Sequence, residues 1–179
     1  MIDNILTLDC ESTIYEKGHP FSKPNRLMCV GTLFNDVLEY HDIEHSGLPY
    51  NNSIERLTFL LSQAQLIVGF NLKYDLHWLK KYLPISSFPN VHDCQLAEFI
   101  LRNQKHPYPS LDFTSQYYGH DPKHNTINAD FWDLGIDTDK VPREILQDRV
   151  LHDVQMSYNV YLHQSSLIKE QKKEALFKL

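Results

Sequence analysis

Several things are scarce in this chain. Cysteine occurs three times in 179 residues, as Cys10, Cys29 and Cys94, without metal-ligand spacing. That excludes a disulfide framework or a thiolate zinc site and predicts reduced thiols in a cytoplasmic protein. No apolar run approaches the ~20 residues that a membrane helix needs. The opening Met1-Ile2-Asp3-Asn4 lacks a basic segment followed by an apolar one, so no secretory signal is expected. Basic residues are outnumbered, 17 against 23 acidic, for a formal charge of −6. A broad electrostatic grip on nucleic acid shows as clustered Lys and Arg, so any contact with a phosphate backbone should be short and local. Internal repeats and low-complexity tracts are missing too. What remains, 42% hydrophobic and 22% charged residues, is ordinary for a soluble globular protein. The length fits one domain, 1–179, with a sizeable core.

The most informative stretch is Ile5-Leu6-Thr7-Leu8-Asp9-Cys10-Glu11. The apolar residues with β propensity predict an early buried strand. Side chains alternate along a strand, so Asp9 and Glu11 point the same way. Two carboxylates ~4 Å apart repel by roughly 4 kcal/mol at an effective dielectric of about 20. Protonation of one acid, a basic partner or a divalent cation would each relieve this. If a cation does so, hard oxygen ligands favour Mg²⁺ or Mn²⁺.

Downstream, a loop with Gly18, Pro20 and Pro24 leads to a strand over Arg26–Phe34. Asn35-Asp36 reads as a hairpin turn, with Val37–Tyr40 returning as a third strand. Gly47 and Pro49 mark another loop. Asn52 with Glu55 forms a capping-box pattern ahead of the helical stripe Ile54, Leu57, Leu60, Leu61, Ala64. Leu66–Gly69 reads as an inner strand. A helix with the stripe Leu72, Leu76, Leu79 follows; Asn71 can cap it, and Asp75 is a first-turn acid on the face of Asn71. Val91–Asp93 predicts a short strand, with Asp93 as N-cap of a helix over Cys94–Asn103. Pro107 and Pro109 break the chain, and Ser110 can cap Leu111–Tyr118. Gly119–Val141 is polar and aperiodic, a long loop of the kind that is often functional. Pro142 suits the first turn of a long helix. Ile145, Leu146, Val150, Val154, Tyr158, Tyr161 and Leu162 can supply its buried side. Asp153 lies beside that side, with Arg149 one turn earlier as an i,i+4 ion-pair partner. Lys169–Lys178 reads as a charged helix end. The order of elements predicts an α/β fold, a mixed sheet with helices packed on it.

Three segments together carry a resemblance: Leu8-Asp9-Cys10-Glu11-Ser12, Val68-Gly69-Phe70-Asn71-Leu72-Lys73-Tyr74-Asp75 and His152-Asp153-Val154. Their order and separation resemble the three motifs of DEDD (DnaQ-like) 3′–5′ exonucleases. The likeness is greatest to the proofreading domain of family A DNA polymerases, especially stand-alone phage forms, with ribonuclease D as a neighbour. It extends through Ser110-Leu111-Asp112 and Gly135–Pro142, nearly the whole chain. The resemblance implies a ribonuclease-H-like fold with a mixed five-stranded sheet flanked by helices. It implies that Asp9, Glu11, Asp75 and Asp153 converge on two divalent cations, Mg²⁺ or Mn²⁺, that clamp the scissile phosphate. Ser12 and Thr13 would contact the last nucleotide, and Asn71 would line the strand path. The implied partner is a single-stranded 3′ end, DNA favoured over RNA, with proofreading for a separately encoded polymerase. The implied setting is the cytoplasm, that of the host if the protein is phage-encoded, with no membrane contact.

One position departs from the family. A tyrosine usually stands four residues before the last aspartate, or a histidine five before it; here these positions hold Arg149 and Asp148. Arginine stays protonated and cannot act as a general base. Arg149 could neutralise Asp153, contact the scissile phosphate or mark an impaired enzyme. Two alternatives therefore stand beside the DNA exonuclease: a ribonuclease D-like RNA exonuclease, and a catalytically impaired module that binds strand ends or a replication partner.

Overall fold

In the computed structural model, β1 (Ile5–Ser12) runs through the centre of a five-stranded sheet with the order β3-β2-β1-β4-β5. The structure describes residues 4–45, 47, 51–105, 109–122 and 126–177. Pro49, Pro107 and Lys178, read above as parts of a loop, a break and a helix end, lie outside these. β2 (Leu27–Phe34) and β3 (Val37–Asp42) form an antiparallel meander on one side of β1. The hairpin turn is where the sequence places it, with Asn35 and Asp36 both left-handed at φ 50° and 63°, as tight hairpin turns require. On the other side, β4 (Leu66–Gly69) and β5 (Asn90–Asp93) add in parallel. The mixed five-stranded sheet flanked by helices is thus the architecture observed.

Strand alternation divides the core in two. Leu6, Leu8 and Cys10 face α1 (Asn51–Gln63) and α2 (Leu72–Tyr82), packing with Leu57, Leu60, Leu72, Trp78 and Leu79. The opposite face is covered by the long α6 (Arg143–Glu170), whose Leu146, Val150, Met156 and Val160 pack over the sheet. Thr7, Asp9 and Glu11 belong to that second face by the period-two rule. Gly31 decides how close α6 can come. It pairs with Asp9 across β1 and β2, and a Cβ there would meet the Val150 carbonyl and the Val154 side chain at 3.0 Å. The missing side chain lets the helix settle directly over Asp9.

The remaining elements are α3 (Cys94–Leu101), α4 (Leu111–Tyr117) and the short α5 (Thr126–Asp130). Asp93 caps α3 through the N–H groups of Gln95 and Leu96, and Ser110 caps α4 through Phe113 N–H. The three cysteines are free and buried. No described helix is long and apolar enough to cross a membrane.

Several local expectations differ from the structure. Asn52 lies inside the first turn of α1 and is not its N-cap, because the helix begins at Asn51. Gly119–Val141 is not a plain loop: it holds α5 and 3₁₀ turns over Trp132–Leu134 and Thr138–Lys140. Its anchors are Ile127 and Val141, which pack with Met28, Leu146 and Val150; two apolar side chains far apart in a polar stretch leave no periodic trace. Pro142 is the N-cap residue of α6 and not within its first turn. Leu162 is exposed, because the buried stripe continues through Val160, Tyr161, Gln164 and Ile168.

Candidate active site

β4 pairs with β1 only as far as Thr7, whereas β2 accompanies β1 to Ser12. Beyond Thr7, the β4 side of β1 therefore lacks a strand partner. The N–H of Cys10 is taken instead by Asp75 Oδ1 at 3.0 Å, a carboxylate delivered by the first turn of α2. Gly69 permits this approach: a Cβ there would lie 2.7 Å from Leu72 Cδ1 and 3.0 Å from the Leu8 carbonyl. Asp75 is therefore no solvated first-turn acid. It is buried, and burial pushes its carboxyl well above the usual range, against the pull of the Cys10 N–H.

On the α6 face, the side chains of Asp9, Glu11 and Asp153 converge, each offering an oxygen within 4.8 Å of the others. Glu11 and Asp153 are buried, and Asp9 is partly so. At that spacing each like-charge pair costs about 3 kcal/mol at an effective dielectric of 20. Three of the four expected acids thus share one cluster. Asp75, the fourth, accepts from the N–H of Cys10, the residue between Asp9 and Glu11.

Arg149 enters this cluster from α6. The sequence suggests a pair with Asp153, whose charge does favour the guanidinium, and the Arg149 Nε–H donates to Glu11 Oε1 at 2.7 Å. Its Nη1 donates to Asn128 Oδ1 at 3.3 Å, and the guanidinium lies 4.6 Å from the centre of the Trp132 ring. The group is only 8% exposed. Burial opposes its charge, yet Glu11, Asp153 and Asp9 outweigh that and hold its pKa above the ordinary value. Asn128 and Trp132 have no role in the sequence reading; they belong to the segment read as a loop, and only their fold contacts expose them.

Ser12 and Thr13 follow the acids and are both buried. Ser12 Oγ lies 2.6 Å from Tyr74 Oη, and Tyr74 donates to the Gly18 carbonyl. Thr13 Oγ1 donates to Asn25 Oδ1 and accepts from Arg26 N–H. Asp137 accepts from Ile14 N–H at 2.9 Å, tying the turn after β1 to the segment before α6. Asn71 is the N-cap residue of α2 in a left-handed conformation (φ 59°), exposed, with no side-chain capping bond; its own N–H donates to Asp93 Oδ1. Tyr74 is therefore a third residue that sequence reasoning missed, since it lies within a motif without standing out from it.

Three hard carboxylates lie in one cluster with Arg149 among them. Their oxygen donors and close spacing fit a divalent cation such as Mg²⁺ or Mn²⁺. Comparison with protein-family models finds no match, and a search of curated protein sequences finds none either. Solved structures do match in fold. NrnC of Brucella melitensis superposes with a TM-score of 0.68 at 16% identity, over 98% of this chain and 81% of that one. The Nibbler EXO domain of Aedes aegypti gives 0.65 at 12% identity, over 94% and 80%. The family B DNA polymerase of the archaeon Pyrobaculum calidifontis gives 0.58 at 16% identity, over 86% of this chain and 23% of the polymerase. These likenesses do not single out the family A proofreading domains. The chain has the ribonuclease-H-like fold of these nuclease and polymerase structures.

Proposed function

We propose that this protein is a metal-dependent 3′–5′ exonuclease that removes nucleoside 5′-monophosphates from single-stranded DNA 3′ ends. The observation that carries this reading is the convergence of Asp9, Glu11 and Asp153 within 4.8 Å on a fold shared with nucleases. NrnC has been solved with bound Mg²⁺ and, separately, bound to pGG; both accord with a cation and a short strand end at the corresponding place here. In the scheme that the DEDD resemblance implies, two ions act. A cation bound there would lower the pKa of the attacking water and polarise the phosphate.

The chain's own residues do the rest. Asp9, Glu11 and Asp153, with Asp75 as the fourth acid, would hold the cation, Asp75 also fixes the strand edge at Cys10, and Arg149 supplies a permanent positive charge. The turn from Ser12 to Gly18, braced by Tyr74, receives the terminal nucleotide, and Asn71 lies at the exposed start of α2 along the strand path. In hydrolysis the water oxygen bonds to phosphorus, the bond to the 3′ oxygen of the preceding nucleotide breaks, and that oxygen ends protonated. A net charge of −6 suits capture of a strand end, not of a long duplex. The setting is cytoplasmic, and the role is proofreading for a separately encoded polymerase, as in stand-alone phage relatives of the family A domains.

A second reading, a binding module without turnover, draws on Arg149 at the position where the family has tyrosine. One experiment separates them: 5′-labelled DNA and RNA strands incubated in parallel with Mg²⁺ or Mn²⁺, with Asp153→Asn as control. A ladder of shortened DNA that the variant does not produce is expected. Retention without shortening supports the module, and a ladder on RNA alone supports a ribonuclease D-like enzyme.

A further inference from the structure

We propose, resting on the nuclease reading above, that the groove between α2 and β5 binds the nucleotides lying 5′ of the reacting end of a single strand. β5 is the last strand on its side of the sheet, and no described strand pairs with its outer edge. Along that edge runs a cleft of about 400 Å³, within the roughly 300–1,000 Å³ of small-ligand sites. Leu72, Leu76 and Lys80 stand four residues apart on one face of α2 and line it, with Lys73 beside them. Phe88 and Val91 line it from the β5 side. Val91 is 49% exposed, so this apolar surface is uncovered.

Position names the occupant. Leu72 follows Asn71 in the chain, and Asp93, which also lines the groove, accepts the Asn71 N–H at 3.1 Å. The groove therefore opens beside the residue placed on the strand path. It follows α2 from Leu72 to Lys80, about 12 Å at the helical rise. That is room for about three stacked nucleotides at ~3.4 Å per phosphate.

Charge and ring chemistry agree. Lys73 and Lys80 are exposed and make no ion pair with a described residue. The acid of the groove, Asp93, is already engaged at one oxygen by the N–H groups of Asn71, Gln95 and Leu96. On a chain of net charge −6 this is a local basic patch, suited to a short run of phosphates. Phe21, 68% exposed, meets His77 of α2 edge-on with 5.2 Å between ring centres. An open ring next to a basic groove is a surface on which a base stacks. An acidic protein segment would match the lysines, but it gives no reason for the groove to open beside Asn71.

The test compares substrate lengths on the full chain with Mg²⁺: a 5′-labelled dinucleotide, which spans only the reacting bond, and a ten-nucleotide oligo(dT). Wild-type KM should be lower for the longer strand by about tenfold or more. Lys80→Glu and Phe21→Ala, both at exposed positions, should each raise the longer strand's KM about tenfold and move the dinucleotide's less than about twofold. Lys169→Glu, the same charge change in the last turn of α6, should move neither. No length preference in the wild type, a longer-strand KM within about twofold of wild type in either groove variant, or equal rises for both substrates would overturn the proposal. Each of these leaves the nuclease reading standing and the groove to a protein partner. If no strand is shortened, the nuclease reading fails, and fluorescence anisotropy of the same two oligonucleotides decides the groove separately. Tighter binding of the longer one, lost in Lys80→Glu, keeps the strand site; equal binding of both removes it.

Discussion

The two halves of α6 bury charge in opposite ways. Near its start, Asp153 joins Asp9 and Glu11 around the guanidinium of Arg149. Near its end, Gln164 reaches the carboxylate of Glu98, which is 1% exposed. Glu98 accepts from Arg102 Nε–H, from Tyr118 Oη–H at 2.7 Å and from Gln164 Nε2–H at 3.0 Å. There one acid has one cation and two neutral donors, and its charge is matched. Burial of Tyr118, together with Glu98, raises its pKa and keeps the phenol a donor. Both ends hold a buried carboxylate on an arginine, so burial and pairing alone do not mark function. Clustering sets the first end apart: Asp9, Glu11 and Asp153 each bring an oxygen within 4.8 Å of the others.

The largest effect should come from taking one acid out of that cluster. Asp153→Asn should lower exonuclease turnover by about a thousandfold or more, the equivalent of roughly 4 kcal/mol at tenfold per 1.36 kcal/mol. Its melting temperature should hold or rise as repulsion eases; digestion of a labelled strand and a thermal melt check both. Activity within tenfold of wild type would erase the distinction between the two ends. Glu98→Ala should do the reverse. It leaves the Arg102 charge without its partner and should cost about 3 kcal/mol in urea unfolding, while the folded protein keeps its Mn²⁺ affinity.

A third buried group lies on β3. His41 on β3 sits 2.8 Å from Thr32 Oγ1, and burial lowers its pKa from 6.5 to about 4. Between those values the unfolded chain binds the proton and the folded one does not, so stability falls as pH drops through that window. The loss should reach about 2–3 kcal/mol by pH 4. His41→Gln should flatten that slope, measured as the difference from wild type in urea unfolding at pH 7 and pH 4.5. The smallest effect belongs to the turn that receives the nucleotide. Tyr74→Phe removes its bonds to Ser12 and Gly18, about 1 kcal/mol of stability, and should raise KM for the strand more than it lowers kcat.

Much of this was legible in the chain itself. Asp9 and Glu11 share a face because strand period demands it, and the apolar runs around them place β1, β2 and β4 correctly. Asp93 and Ser110 announce their caps by residue type. Three features were not legible, each for a physical reason. Asp75 reads as a first-turn acid, since sequence spacing gives its helix face but not the bare strand edge it meets. Arg149 reads as an i,i+4 partner of Asp153 alone, because the Glu11 oxygen it also meets comes from 138 residues away in the chain. Asn128 and Trp132 lie in an aperiodic stretch, where Ile127 and Val141 hold the fold. Gly31 left a trace that could have been used: a glycine inside an apolar strand marks close approach of another backbone, here α6 over Asp9.

Everything above depends on β1 and α6 together making a cation site, and anomalous diffraction from a crystal grown with Mn²⁺ reads that out. A peak bonded to oxygens of Asp9, Glu11 and Asp153 is expected in the wild-type protein, and none there in Asp153→Asn. A fully occupied crystal with its manganese elsewhere, or with those three carboxylates uncoordinated, would refute the site.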